Sequence, residues 1–100
     1  MDKLIYSIEE IGQKLKPIFV KNNIHKAILF GSYAKSKVNE NSDIDLVVDS
    51  KMKGLKFVGL LDEITETLGK DIDLFDVTHI EKNSQIAKEI TQTGILIYEK

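Results

Sequence analysis

The chain has 100 residues, 42% hydrophobic and 30% charged, with a formal net charge of −2. That is enough for one compact domain over 1–100 and speaks against both disorder and a two-domain layout. All fourteen basic residues are Lys, a balance that argues against a nucleic-acid backbone as the main partner, and the lack of Cys excludes disulfides and thiolate chemistry. No apolar run has the length of a membrane span and the N-terminus does not resemble a signal peptide, so no membrane partner and a cytoplasmic location are expected.

The first element is "SIEEIGQKLKPIFVKNN", in which Ser7 serves as N-cap and Glu10 as its capping-box partner, with Ile8, Ile11, Leu15, Ile18 and Phe19 as an apolar stripe. Pro17 lies inside this pattern and predicts a kink or a division into two short helices. "KAILF" is a short apolar run ended by Gly31 and reads as a buried strand. "DIDLVVD" alternates and is rich in branched residues, which makes it the second strand, and "SKMKGLK" is a solvated, Lys-rich connector.

"FVGLLDEITETLG" places Phe57, Leu60, Leu61, Ile64 and Leu68 on one helical face and stops at Gly69. "DIDLFDV" is a third strand, "SQIAKEITQTG" a helix begun near Ser84 and ended at Gly94, and "ILIYE" a closing strand. Helices alternating with strands predict an α+β fold: a mixed β-sheet with helices mainly on one side.

The chemistry gathers in "FGSYAKSKVNENSDIDLVV". On a strand, side chains at i and i+2 share a face, so Asp43 and Asp45 stand together while Ile44, Leu46 and Val48 face the core. Two carboxylates that close repel, and either a proton or a hard cation relieves them. Carboxylates combined with phosphate oxygens are the usual setting of Mg²⁺. Gly31 lets the backbone approach a ligand, Ser32 offers a hydroxyl, and a short helix begun near Tyr33 would aim free N–H groups at phosphate oxygens, with Lys35 adding charge. A nucleoside triphosphate bridged by Mg²⁺ to the aspartates satisfies both halves.

Transfer of a nucleotide to a hydroxyl calls for a third carboxylate at the metal nearest the nucleophile. "KDIDLFDV" offers Asp71 and Asp73 on one face and Asp76 on the other, and spacing does not choose between the first two. Tyr33 either stacks on a ligand or covers the turn. His25 and His79 have no ligand-spaced companion and read as structural or surface residues.

Gly31, Ser32, ten residues, then Asp43-Ile44-Asp45 is similar to the signature of the nucleotidyltransferase superfamily that includes DNA polymerase beta. The short chain and "AILFGSYAKS...NSDIDLVVD" resemble its minimal nucleotidyltransferase (MNT) branch, of which the MntA-type antitoxins are members. The resemblance implies a mixed-sheet core using two Mg²⁺ ions, with ATP as substrate. It also implies AMP transfer to a tyrosine of a HEPN-family toxin, the chain being the antitoxin of the pair. By the same resemblance Gly31 and Ser32 bind phosphate, Asp43 and Asp45 are metal ligands, and Asp73, in "IDLFDV", is the third ligand and candidate base. Asp71 and Asp76 are then surface charges.

Many relatives carry Arg-Gly where this chain has Lys35-Ser36, which exchanges a bidentate fork for a point charge on phosphate. Two alternatives stand beside the leading expectation. One is a non-catalytic antitoxin that neutralises its partner by contact. The other is a small-molecule enzyme of the aminoglycoside-modifying type, whose relatives generally carry a further helical domain.

Overall fold

A computed structural model describes residues 6–31 and 43–100. The elements in chain order are α1 (Ile8–Lys21), β1 (Lys26–Phe30), β2 (Ile44–Asp49), α2 (Leu55–Leu68), β3 (Ile72–Asp76), a 3-10 turn (Val77–His79), α3 (Gln85–Thr93) and β4 (Ile95–Glu99). Their sheet order is β3-β2-β1-β4, with β2 and β3 parallel and the other two pairings antiparallel. The parallel step is bridged by α2, as a crossover of this length requires.

α1 starts where its sequence says it should. The Ser7 hydroxyl accepts from the Glu10 N–H at 3.0 Å and the Glu10 carboxylate accepts from the Ser7 N–H at 2.8 Å, which satisfies two of the end's orphan donors. The helix runs as one element through Pro17, so the expected division does not occur. Ile11, Leu15, Ile18 and Phe19 are buried against the sheet, and that packing outweighs the backbone bond Pro17 cannot make. α2 contributes Leu60, Ile64 and Leu68 to the same core and ends at Gly69, whose φ of 65° is the left-handed cap that glycine adopts without strain.

The sheet has two unlike faces. Ala27, Leu29, Ile44, Leu46, Val48 and Ile72 point into the core beneath α1 and α2. The alternate residues, Ile28, Phe30, Asp45, Val47, Asp73 and Phe75, form the other face. There α3 packs on β1, with Gly94 at its end seated against Ile28: a Cβ on Gly94 would lie 2.9 Å from Ile28 Cγ2. Two helices thus cover one face and the short α3 part of the other, an arrangement with helices mainly on one side.

Asp76 corrects one expectation. It is buried at 1% exposure, on the core side of β3, where a surface charge was expected. Its Oδ1 accepts from the Ser50 N–H and hydroxyl at 3.0 and 2.6 Å, and its Oδ2 from the Thr78 N–H and hydroxyl at 3.0 and 2.7 Å. The Asp76 N–H in turn donates to His79 Nδ1 at 3.1 Å, and the His79 ring meets Phe57 edge-on at 5.0 Å. This network ties the end of β2 to the end of β3 and caps the 3-10 turn, so His79 is structural, as expected.

Candidate active site

β2 carries Asp45 on its non-core face, opposite Phe30 of β1 on one side and Asp73 of β3 on the other. The parallel register does what spacing could not: it sets Asp73 beside Asp45. Asp71 lies just before β3, exposed, with its carbonyl accepting from the Ile44 N–H at 3.2 Å. Asp43 stands exposed at the entrance to β2, near enough for its charge to act on Asp45. Ser32 and Lys35 lie outside the described residues, as does the helix expected near Tyr33.

Gly31 closes the site from the β1 side. Its φ is +76°, in the left-handed region that other L-residues adopt only at a cost, and a Cβ there would collide with Oδ2 of Asp45 and lie 3.2 Å from its Cγ. The turn that leaves β1 therefore passes against the carboxylate itself. A glycine is required at this position on two counts, backbone conformation and space.

Electrostatics make Asp45 the exceptional group. Burial above all, then a hydrogen bond shared with Asp73 and the charges of Asp73, Asp43 and Glu89, pushes its carboxyl from an ordinary value up to about 7. Without a cation the Asp45 carboxyl therefore keeps its proton to a higher pH than an ordinary carboxylate, because burial and the neighbouring carboxylates disfavour its charge. The Asp45–Asp73 pair offers carboxylate oxygen alone, two carboxylates with no group of three among the described residues placed to hold a metal, and it is backed by apolar Phe30, Val47 and Phe75, with the Phe30 and Phe75 rings 6.1 Å apart. Hard oxygen donors of excess negative charge fit Mg²⁺, and they fit soft metals poorly.

Glu89 of α3 was not singled out from the sequence. Its signal there is weak: a carboxylate beside Ile90 at the border of the apolar stripe of an amphipathic helix. Only the packing of α3 across β1 gives it a bearing on Asp45.

A glycine turn pressed against paired carboxylates on a mixed sheet defines the core of a nucleotide-transferring fold. The family described as "Polymerase beta, Nucleotidyltransferase" matches residues 13–100, and the chain belongs to that family. Among its relatives, one Methanocaldococcus jannaschii protein named as a protein adenylyltransferase is 38% identical over 76 residues, covering 74% of this chain and 82% of the relative. A second of that name and organism is 37% identical over 98 residues, covering 95% and 99%.

Among solved structures, a toxin–antitoxin complex with AMP-PNP superposes with a TM-score of 0.76 at 22% identity, over 89% of this chain and 73% of that one. The complex of a tri-AMPylated Shewanella oneidensis HEPN toxin with its MNT antitoxin gives 0.71 at 18%, over 93% and 73%. At these identities the two structures speak to the fold. Among the described residues no helix is long and apolar enough to cross a membrane.

Proposed function

We propose that the chain is a magnesium-dependent nucleotidyltransferase that moves AMP from ATP to a tyrosine hydroxyl of a partner HEPN-family toxin, acting as the antitoxin of the pair. The observation that carries the reading is the Asp45–Asp73 rung beside the Gly31 turn, three groups that meet only through the sheet register. Family membership and the adenylyltransferase relatives support the reaction class. The AMP-PNP complex among the structural neighbours supports the nucleotide, and the HEPN toxin complexes support the acceptor.

Asp43, Asp45 and Asp73 would hold two magnesium ions, which when bound neutralise the triphosphate and make the attacking hydroxyl more acidic. Asp45 sits centrally between its two partners and gives up its shared proton to become a ligand. Asp73, on the edge strand and exposed, faces the side from which an acceptor can approach, and it orients the hydroxyl and takes its proton. Gly31 keeps the turn close to the Asp45 carboxylate, and Ser32 with Lys35 would hold the departing phosphates. The hydroxyl oxygen bonds to the α-phosphorus, the bond to the bridging oxygen of the β-phosphate breaks, and pyrophosphate leaves.

The test uses purified chain, Mg²⁺, and a purified HEPN-family toxin from the same operon with ATP labelled at the α- or the γ-phosphate. Label from α but not from γ on the toxin, lost in Asp43→Asn/Asp45→Asn, is the expected result. Toxin inhibited without label, equally by the double variant, would mean contact neutralisation and end the enzymatic reading.

A further inference from the structure

The two edges of the sheet are unlike. β3 carries the exposed charge of Asp73, whereas β4 presents Ile95, Leu96 and Ile97 in succession and has no strand on its outer side among the described residues. Charged residues and Pro ordinarily guard such an edge, and β4 has neither before Glu99. Its one irregularity is a bulge at Ile97, since Ala27 pairs with Tyr98 and Ile28 with Leu96. A bulge opposes a continuous ladder with a further strand, so the edge is open to side-chain packing instead. α1 packs beside it, and between helix and strand lies a groove of about 320 Å³ whose walls include Ile8, Glu9, Gly12, Lys16, Leu96 and Ile97. Leu96 is 51% exposed there.

Gly12 is the first sign of what fits this groove. It lies inside α1, where Gly costs about 1 kcal/mol relative to Ala. The chain's own packing does not require it: a Cβ would stand 3.5 Å from the Ile97 carbonyl oxygen and 3.8 Å from the Ile97 Cβ, both ordinary contacts. Bare backbone on the groove wall permits close approach from outside. The second sign is the charge to either side. Glu9 and Lys16 are exposed, and neither side chain has a hydrogen bond or ion pair among the described residues. Seven residues apart, they share one helix face about 10.5 Å from each other along the axis, with Gly12 and Gln13 midway. A stripe that is negative at one end and positive at the other complements its own reverse. β4 is centred at the same level, because Ile97 is the middle residue of Ile95–Glu99 and the one that Gly12 faces. A single two-fold axis at that level therefore sets Glu9 against the second copy's Lys16, sets Lys16 against the second copy's Glu9, and covers the exposed Leu96 of each.

We propose that this face of α1 and β4 is the interface of a symmetric homodimer, in which two copies meet about a two-fold axis near Gly12 and Ile97, with reciprocal Glu9–Lys16 ion pairs flanking Leu96 and Ile97. A second copy of the chain is the occupant because the order of charges along α1 matches itself in reverse. A nucleic acid does not fit: the groove sets one carboxylate against one lysine and has no aromatic ring on which a base could stack. The inference does not rest on the metal–nucleotide reading. It leaves the reaction centre of each copy clear, since Asp45 and Asp73 stand on β2 and β3, with β1 between them and the β4 edge.

Sedimentation equilibrium of the purified full chain tests this without ligand or acceptor. The unaltered chain is expected to sediment at twice its monomer mass at about 100 µM, a concentration that reveals even a weak dimer. Glu9→Lys and Lys16→Glu each oppose like charges across the axis, and each should weaken the dimer at least about tenfold at low salt and less at high salt. Glu9→Lys/Lys16→Glu restores opposite signs at unchanged net charge and should recover the dimer, and an equimolar mixture of the two single variants should form a mixed one. Leu96→Glu should leave a monomer, with circular dichroism showing each variant folded. A monomeric unaltered chain, or a dimer that the single and the doubly reversed variants leave equally strong, would overturn the proposal. If the chain is monomeric and binds a purified HEPN-family toxin in a way that Leu96→Glu abolishes, the face belongs to the toxin and the homodimer is likewise excluded.

Discussion

Two rungs of the same parallel strand pair, three residues apart, treat a carboxylate in opposite ways. At the Asp45–Asp73 rung the side chain faces another carboxylate and its acidity is suppressed to about 7. At the Val48–Asp76 rung, on the other face, burial alone would push Asp76 up as well, yet hydrogen bonds from the Ser50 and Thr78 side chains and N–H groups outweigh it and hold the carboxyl down at about 2. Burial is common to both. The neighbours decide the sign: four donors make Asp76 a strut, whereas a second carboxylate makes Asp45 a group that is uncomfortable until something positive arrives.

The strongest break of that contrast is Asp43→Asn/Asp45→Asn, expected to reduce AMP transfer by at least about a thousandfold, the scale on which electrostatic reaction centres fail when their charged groups go. Labelled transfer assays measure it, and a rate within tenfold of the unaltered chain would count against the metal assignment. At the other rung, Asp76→Ala should leave the chemistry intact in whatever protein is folded but strand four donors, two of them backbone N–H groups. The expected cost is about 3 kcal/mol of stability, a large part of what a chain of this size has, and thermal unfolding would show it as a fall of more than about 10 °C. Gly31→Ala stands between the two. The left-handed backbone costs about 1–2 kcal/mol, and the Cβ must displace the Asp45 carboxylate, so loss of Mg²⁺·ATP stabilisation should exceed the loss of fold.

How much of this could be read from the residues alone differs between the rungs for a physical reason. The four strands, the three helices and the Ser7–Glu10 cap follow from local rules of period and capping, and each lies within about two residues of its expected span. Of the kink or division expected at Pro17, the division is absent because tertiary packing holds Ile18 and Phe19 in the core on the far side of the proline. Asp43 and Asp45 are neighbours in sequence and could be paired from strand period alone. The choice of Asp73 over Asp71 needs the β2–β3 register, a long-range fact that only family resemblance could replace. Asp76 was misread because its face of β3 was legible but its donors were not: Ser50 lies 26 residues away. The bearing of the Glu89 charge on Asp45 was illegible for the same cause, since it comes from α3, an element distant in sequence that packs on β1.

The finest test of the contrast is the sign of stability against pH. Asp45 has a raised folded value, so its contribution to stability is fully present below the unfolded value near 4 and is lost as pH rises through about 7. Asp76 has a lowered one, so its contribution is present above pH 4 and is lost as pH falls towards 2. Between pH 5 and 8, without divalent cations, Asp45 should therefore withdraw about 1 kcal/mol, a discounted figure because the carboxylate is only partly buried. Asp45→Asn should abolish that decline and leave the cation-free protein as stable as the unaltered chain at pH 8, or more so. Mg²⁺ with ATP should do the same for the unaltered chain by replacing the proton, and the Mg²⁺ needed should fall between pH 6 and 8 as that proton leaves. Chemical denaturation at pH 5 and 8, with and without Mg²⁺·ATP, measures all three. A pH-independent stability across that range would mean that Asp45 and Asp73 do not share a proton, and the proposed metal site would lose the repulsion on which it rests.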